Sequence, residues 1–440
     1  MSRKIKIIIA ILITSSIFFI SGCGKNTNYR VDLVIWGVFD DSDSFREIIK
    51  NFREINPHIG DIDYKKLTEQ NYKQDLIGAM AAGNGPDIFL IHNDWLPSFK
   101  NKIEPISNNI LGEQEFRQNF VDVAIDDFIS EGQIYALPLS VDSLALYYNK
   151  DLFNAEGIAS PPDTWEKFDE AVKKLTKIDQ YNNPTLSGAA MGTAYNINRS
   201  TDILGLRMFQ NGNQMINDKG RVTLNNDQGR VAMEYYTKFA RSNSPLYTWN
   251  SSKHDSIDSF YESTAAMMIN YSWHYSTVKS KNAKLNFAVA PVPQPSSGQP
   301  VNYANYWGFA SAKGKSNEAT YEAQQFLKFL TVKNNGKVIL GNALSGNTKE
   351  FAVDFDPAKN YLDITGKPAA RRDIIEEQKS DPILGPFAYG NLIAKSWYQV
   401  DPEENEKILA EAIDSVNKGS ITIRDALKIA ETRINQLMRK

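Results

Sequence analysis

Leu137-Pro138-Leu139-Ser140-Val141-Asp142-Ser143-Leu144-Ala145-Leu146-Tyr147-Tyr148-Asn149-Lys150-Asp151-Leu152-Phe153 is the stretch whose reading decides the fold. Val141, Leu144, Leu146 and Tyr148 are apolar or aromatic, and Asn149-Lys150-Asp151 closes the run with polar residues. That pattern predicts a buried strand with polar punctuation on both sides. Shortly after it, Ser160-Pro161-Pro162-Asp163-Thr164-Trp165 predicts a helix start. The two prolines forbid helix before it, Asp163 is placed to cap it, and Glu166 stands three residues later. Trp165, Phe168, Val172 and Leu175 then recur at helical spacing, which makes Trp165 a core residue.

Working towards the N-terminus, strands alternate with helices. Val31–Trp36, Ile62–Leu67 and Asp87–Ile91 read as strands. Between them, Ser44 and Glu47 form a capping-box pattern ahead of Phe45, Ile48, Ile49, Phe52 and Ile55, and Pro57 ends that helix. Tyr72, Leu76 and Met80 mark a second helix, with Gly83 suited to its C-terminal turn. Such alternation predicts a mainly parallel sheet, and sheets of that kind bind ligands at the carboxyl ends of their strands. The rule points to Trp36–Asp43, hence Trp36 and Asp40, and to His92–Trp95. Further on, Ala265–Asn270 and Leu285–Ala290 read as strands. Asn335–Leu340 and the C-terminal run through Ala426, Ile429, Ile434 and Leu437 read as helices.

The chain has 440 residues, more than one hydrophobic core serves, so at least two domains are expected. A formal net charge of -3 gives a nucleic-acid role no electrostatic support. Arg3, Lys4 and Lys6 precede an apolar run from Ile7 to Ile20, short for a membrane span and of the length of a secretory leader. Ser21-Gly22 follow, then Cys23, the single cysteine of the sequence. With no second cysteine there is no intramolecular disulfide.

Several motifs, weak alone, make a pattern in their order. They are Phe52 to Pro57, Gly85-Pro86-Asp87-Ile88, Leu146-Tyr147-Tyr148-Asn149-Lys150-Asp151-Leu152-Phe153, Pro161-Pro162-Asp163-Thr164-Trp165-Glu166, and Phe260 to Trp273 with Ala265-Ala266-Met267 inside it. Together they resemble the extracellular solute-binding proteins of sugar ABC importers, the maltose-binding type. Ile20-Ser21-Gly22-Cys23 likewise resembles a bacterial lipobox, in which Cys23 would carry a diacylglycerol.

The resemblance implies an α/β, two-lobed periplasmic-binding-protein fold of type II, each lobe a mainly parallel sheet flanked by helices, joined by hinge crossings. Residues 1–22 would be the signal peptide and 23–30 a lipidated tether. Lobe 1 would comprise 31–140 and 302–354, and lobe 2 would comprise 144–298 and 366–440. The crossings would lie near 140–144, 298–302 and 355–366. Where relatives carry a glycine in the Phe260–Trp273 motif this chain has Ser263, and another is replaced by Tyr271 or Ser272, which leaves local geometry there open.

A sugar presents hydroxyl rims and apolar C–H faces, so its site needs carboxylates and amides together with aromatic planes. The sequence offers seven Trp, 20 Tyr and 22 Phe for the planes. Trp36, Trp95, Trp249, Trp273, Trp307 and Trp397 fall at strand ends, loops or element starts and are candidates, each with core packing as the alternative. The resemblance adds Asp94 beside Asn93 in the segment after Gly-Pro-Asp-Ile, with helix capping as the alternative. It adds Asp142, six residues before Tyr148, with a hinge hydrogen bond as the alternative. It also places Trp273 and Trp397 where relatives stack tryptophan on sugar.

Catalysis is not expected. No His-Glu-x-x-His, Gly-x-Ser-x-Gly or Walker A sequence occurs. The four histidines are scattered and read as surface or satisfied residues, and Tyr147-Tyr148 cannot both face a cleft as an iron pair would need. Neither a metal nor a cofactor is expected. The expectation is a substrate-binding lipoprotein of an ABC importer, a monomer on the outer face of the bacterial cytoplasmic membrane. It would hold a sugar or oligosaccharide between its lobes and pass it to membrane permease subunits. The alternatives are another solute in the same fold (a phosphorylated polyol, peptide or polyamine) or a surface glycosidase. Arg199, Arg207, Arg371 and Arg372 keep phosphate recognition open.

Overall fold

The computed structural model describes residues 28–438; the leader and Cys23 lie outside the described residues. Alternation turns Leu33 and Ile35 inward and makes β1 (Val31–Gly37). β2 (Ile59–Lys66) and β3 (Ile88–His92) pair with it in parallel, one on each side. α1 (Arg46–Ile55) lays Ile48 and Phe52 on this sheet, and Phe52 meets Phe326 and Phe329 of α5 (Asn317–Thr331) with ring centroids 5.2 Å apart. α2 (Glu69–Ala81) is fixed by the Tyr72 hydroxyl, which donates to Leu90 O and accepts from Leu90 N, both at 2.9 Å. Gly83 follows α2 at φ +75°, in the left-handed turn expected of it.

The quoted stretch divides between two hydrophobic cores. Leu137, Leu139 and Val141 belong to the first, and Leu144, Leu146 and Tyr147 to the second. It forms two strands, β4 (Asp142–Ser143) and β5 (Ala145–Asn149). In the second lobe β5 lies between β6 (Met267–Asn270) and β7 (Phe287–Pro291), and both neighbours run antiparallel to it. The expectation of a mainly parallel sheet in each lobe therefore holds only for the first. The reason is direction of travel. β5 leaves the junction between the lobes, whereas β6 and β7 return to it, so that Asn270 and Pro291 both end beside Ala145. The same logic reverses β9 (Trp307–Ser311) in the first lobe, where it joins β3 antiparallel with Trp307 opposite His92.

Core membership switches between Val141 and Leu144, between Tyr303 and Ala304, and again between Ala394 and Trp397. The three passages lie side by side as one small sheet. β8 (Asn302–Asn305) pairs with β4 through Ala304 and Asn305, and with β10 (Ala394–Lys395) through Asn302 and Tyr303. Buried amides brace it. Asn302 Nδ2 donates to Leu144 O at 2.8 Å, and Asn391 Nδ2 donates to Val141 O and Ala369 O. At Gly390, in α7 (Gly385–Leu392), a Cβ would collide with Asn302 and Ser143, so this helix presses directly on the passages.

Several local expectations change. Residues 355–366 are not a passage. α6 (Pro357–Thr365) is capped by Asp356, ended by Gly366 at φ +63°, and buries Tyr361 and Leu362 in the first core. Residues 366–394 likewise add Ala369, Ala370, Ile374, Ile375 and Ala388 to that core. Asn335–Leu340 is not helical. Asn335 and Gly336 have positive φ, and Lys337–Gly341 forms a hairpin with Thr348–Ala352, alternately burying Val338 and Leu340. The Ser44–Glu47 box does not form, because Phe45 is drawn wholly into the core against Tyr64, 4.5 Å between centroids, and takes the N-cap place itself. α3 (Trp165–Leu175) is capped by Thr164 rather than Asp163, which pairs with Lys167 at 2.8 Å.

Ser263 stands at φ +60°, a left-handed backbone that glycine adopts freely and other residues at a cost. Its Oγ gains only a long 3.4 Å contact from Asn149 Nδ2. Ser263→Gly should therefore stabilise the protein by about 0.5–1 kcal/mol, after allowing for glycine's greater freedom in the unfolded chain. Denaturant titration reads this directly, and unchanged or reduced stability would count against the strain assigned here.

Candidate functional site

Between the two cores and above the three passages lies a cleft of about 1120 Å³. Its first wall is built where β1 and β3 end. Phe39 and Asp40 come from the segment after β1, and His92, Asn93, Asp94 and Trp95 from the end of β3 and just beyond it. Trp307 enters from the start of β9 and forms the centre of an aromatic cluster. Its ring meets Trp95 edge-on at 5.0 Å, His92 at 5.2 Å and Phe39 at 5.6 Å. The second wall is Arg199, Thr201 and Asp202 at the start of α4 (Ser200–Gln210), with Ser272 and Trp273 after β6. Asp142, Asn305 and Tyr306 form the floor, and Trp397 closes one side.

The polar groups are held in pairs. His92 Nδ1 lies 2.6 Å from Asp94 Oδ1, and His92 Nε2 lies 3.2 Å from Asn305 Oδ1. Oxygen on both sides of the ring suits the doubly protonated imidazolium. Burial works to lower the pKa of His92, but the Asp94 carboxylate outweighs it and the net shift is upward. Opposite, Tyr271 donates its hydroxyl to Asp202 at 2.8 Å. Burial raises the pKa of Asp202 against the pull of Arg199 and Tyr271. Arg199 lies over Tyr271 and Trp273, 5.7 and 5.5 Å from their centroids. It takes φ +65°, and its buried Nε has no hydrogen-bond partner, a strained placement of the kind kept at working sites. Asp40 accepts from Lys367 Nζ and from the Tyr361 hydroxyl, each at 2.7 Å.

Asp142 couples the passages to the second lobe. Its Oδ1 accepts from Ser143 N at 2.9 Å; its Oδ2 accepts from Ser272 N at 3.0 Å and from the Ser272 hydroxyl. Burial pushes its carboxyl up to about 7 despite these donors. Asp127, joined to Asn93, Tyr306 and Ser396, is pushed to about 7 by the same cause.

Of the tryptophans and polar residues singled out from sequence, the cleft gathers Asp40, Asn93, Asp94, Trp95, Asp142, Trp273, Trp307 and Trp397. It does not gather Trp36, which packs on the first core from within β1. Nor does it gather Trp249, which is fully buried in the second core and donates to Asn196 at 3.3 Å. A strand-end rule cannot tell the face of Trp36, and a loop position says nothing of depth for Trp249. Tyr147 is buried and donates to Tyr271 O at 2.6 Å, outside the cleft. Missed from sequence were Asp202 and Lys367; His92 was reached only as part of the segment ending β3, and Arg199 only as a phosphate candidate. Asp202 reads as an ordinary acid in the first turn of a helix, and His92 is both satisfied and in the wall. Among the described residues no three His, Cys, Asp or Glu side chains converge to hold a metal ion.

Residues 36–337 match the model of the bacterial extracellular solute-binding protein family. The chain belongs to that family. This solute-binding protein is 25% identical over 297 residues to a binding protein of Brucella abortus, covering 66% of this chain and 68% of that one. It is 28% identical over 293 residues to the maltodextrin-binding protein MdxE of Bacillus subtilis, covering 62% of each. Its fold matches the crystal structure of the cyclic α-maltosyl-1,6-maltose binding protein of Arthrobacter globiformis. The TM-score is 0.73 at 17% identity, over 93% of this chain and 99% of that one. The family places the solute-binding protein outside the cytoplasm, and no helix among the described residues is long and apolar enough to cross a membrane.

Proposed function

We propose that the protein is the substrate-binding lipoprotein of an ABC importer, that it captures a sugar or oligosaccharide between its lobes, and that it delivers the ligand unchanged to a membrane permease. Acylation of Cys23 holds it at the outer face of the membrane. The observation that carries the sugar reading is the pairing, in one cleft, of aromatic planes with carboxylates and amides contributed by both lobes. Relatives named for maltodextrin point the same way. Ligand touching Trp307 and Asp94 on one wall and Trp273 on the other makes its full set of contacts only when the walls approach, which shifts the population towards the closed form.

A phosphorylated polyol fits less well, because the arginines are spoken for elsewhere. Arg207 is sandwiched between Trp165 and Tyr235 at 4.5 and 4.4 Å, Arg371 pairs with Asp356 and Asp373, and Arg372 pairs with Asp122. Only Arg199 of the four lines the cleft. A polyamine is the one alternative that a specific observation favours, since nine Asp and Glu line the cleft against Lys73, Arg199 and Lys367.

Thermal-shift titration of the described domain separates these. A linear malto-oligosaccharide at about 100 times its dissociation constant should add roughly 2.7 kcal/mol of stability. Small-angle scattering with that ligand should give a smaller radius of gyration than without. A shift with spermidine and none with any saccharide would overturn the sugar reading.

A further inference from the structure

The Phe260–Trp273 motif departs from its relatives at Tyr271 or Ser272, and neither side chain stands idle. The three residues before Trp273 are each tied by their side chains to a different part of the molecule. Asn270 Nδ2 donates to Asn198 Oδ1 at 3.1 Å, next to Arg199. The Tyr271 hydroxyl donates to Asp202 in the first turn of α4, and the Ser272 hydroxyl donates to Asp142 in the floor.

Tyr271 is the most constrained of the three. It is fully buried, and its carbonyl oxygen accepts from the Tyr147 hydroxyl at 2.6 Å, so its backbone and its ring are both fixed. Burial holds its pKa well above the ordinary value, which keeps the hydroxyl a donor to Asp202. Its ring lies beneath Trp273 in a near-parallel stack, 4.5 Å between centroids at 20°. Arg199 sits over both rings, 5.7 Å from Tyr271 and 5.5 Å from Trp273. An indole that is 40% exposed would otherwise turn among its rotamers. Here one face is covered by an immobile ring, and the indole lines the cleft. Tyr271 itself does not line the cleft.

We propose that Tyr271 is the positioning residue of the ligand site. Anchored to Asp202, it fixes the Trp273 indole before ligand arrives, so that stacking on a sugar costs little side-chain freedom at that wall. Tyr271 acts through Trp273 and does not touch the ligand. The proposal rests on the reading of the cleft as a sugar site and adds to it the residue that sets the aromatic plane.

The test uses the full-length chain in a detergent that carries no sugar. Labelled with 5-fluorotryptophan and unliganded, the protein gives one fluorine resonance that Trp273→Ala removes. Tyr271→Phe, which keeps the ring and drops the hydroxyl, should broaden or shift that line. A line unchanged in shape and position overturns the proposal. Calorimetry with maltotetraose should show about three- to tenfold weaker binding in Tyr271→Phe, the size expected when one side chain must be ordered on binding. When Trp273 is already alanine, the same change should cause no further loss. Equal losses in the two backgrounds, or no loss in the first, overturn the proposal as well. Tyr271→Leu, which fills the space without a ring, should lose more affinity with the same dependence on Trp273. A wild type that binds no maltotetraose removes the sugar reading and the proposal with it, whereas losses that ignore Trp273 refute the positioning role alone.

Discussion

Trp273→Ala should weaken ligand binding about thirtyfold while leaving the unliganded protein's melting temperature close to wild type. Trp273 is 40% exposed, lies in the cleft wall, and rests one face on Tyr271 at 4.5 Å and 20°. Stacking on a sugar would bury about 80 Å² of apolar surface, worth roughly 2 kcal/mol at about 25 cal/mol per Å², and that is about a thirtyfold change in dissociation constant. Little of its contact area belongs to the core, so little stability goes with it. Trp249→Ala is the counterpart. That indole is fully buried in the second core, and its loss should cost about 3–5 kcal/mol. Calorimetric affinity and melting temperature, measured on both variants, give opposite signatures. A Trp273→Ala protein that melts far lower yet binds normally would remove Trp273 from the site.

The second large effect is on pH. Asp142 has its pKa raised from an ordinary 3.8 to about 7 by burial. The folded state therefore holds a proton that the unfolded chain releases at any pH between those values. Stability should be greatest near pH 4, fall as pH rises through 7, and level off above. Asp127 shares the sign and the window. At about 1.4 kcal/mol per unit of separation, Asp142 alone contributes on the order of 4 kcal/mol. The charge of Lys367 opposes the shift and is already contained in it, and the lowered Asp373 titrates below this window and adds no slope there. The unliganded melting temperature should drop by several degrees between pH 5 and pH 8. Asp142→Asn, which keeps an acceptor for Ser272 but cannot ionise, should flatten much of that slope. A melting temperature that climbs over this range would contradict the assignment.

These two cases also show where sequence reasoning reaches. Asp142, Asp94 and Trp273 were legible because each sits at a fixed distance from a motif whose strand ends at the cleft. Trp249 has no such motif beside it, and its depth is set by the segments that later cover it. Arg199 and Asp202 lie beyond a loop with no periodicity, and their importance comes from facing His92 and Asp94, which are brought opposite only by the two-lobed arrangement. The third passage was misplaced at 355–366 because a polar stretch looks like a connector. α6 hides its apolar contribution in Ala358, Tyr361 and Leu362, spaced to suit a helix that also needed Asp356 and Gly366 to begin and end it. The hairpin over 337–352 was misread for a related reason. Three apolar residues, Val338, Ile339 and Leu340, between Lys337 and Gly341 suit either period, and the positive φ angles before them settle the matter in favour of a turn and strand.

The interleaving of the lobes bears on how the molecule is made. The first core draws on Leu33 at one extreme and Ala394 at the other, and the second needs residues as late as Ile434. A chain threaded across a membrane from its N-terminus thus has neither core complete until almost its last helix has emerged. With contacts joining such distant residues, loop closure delays the native state. The first lobe therefore cannot finish folding as an independent N-terminal unit ahead of the second.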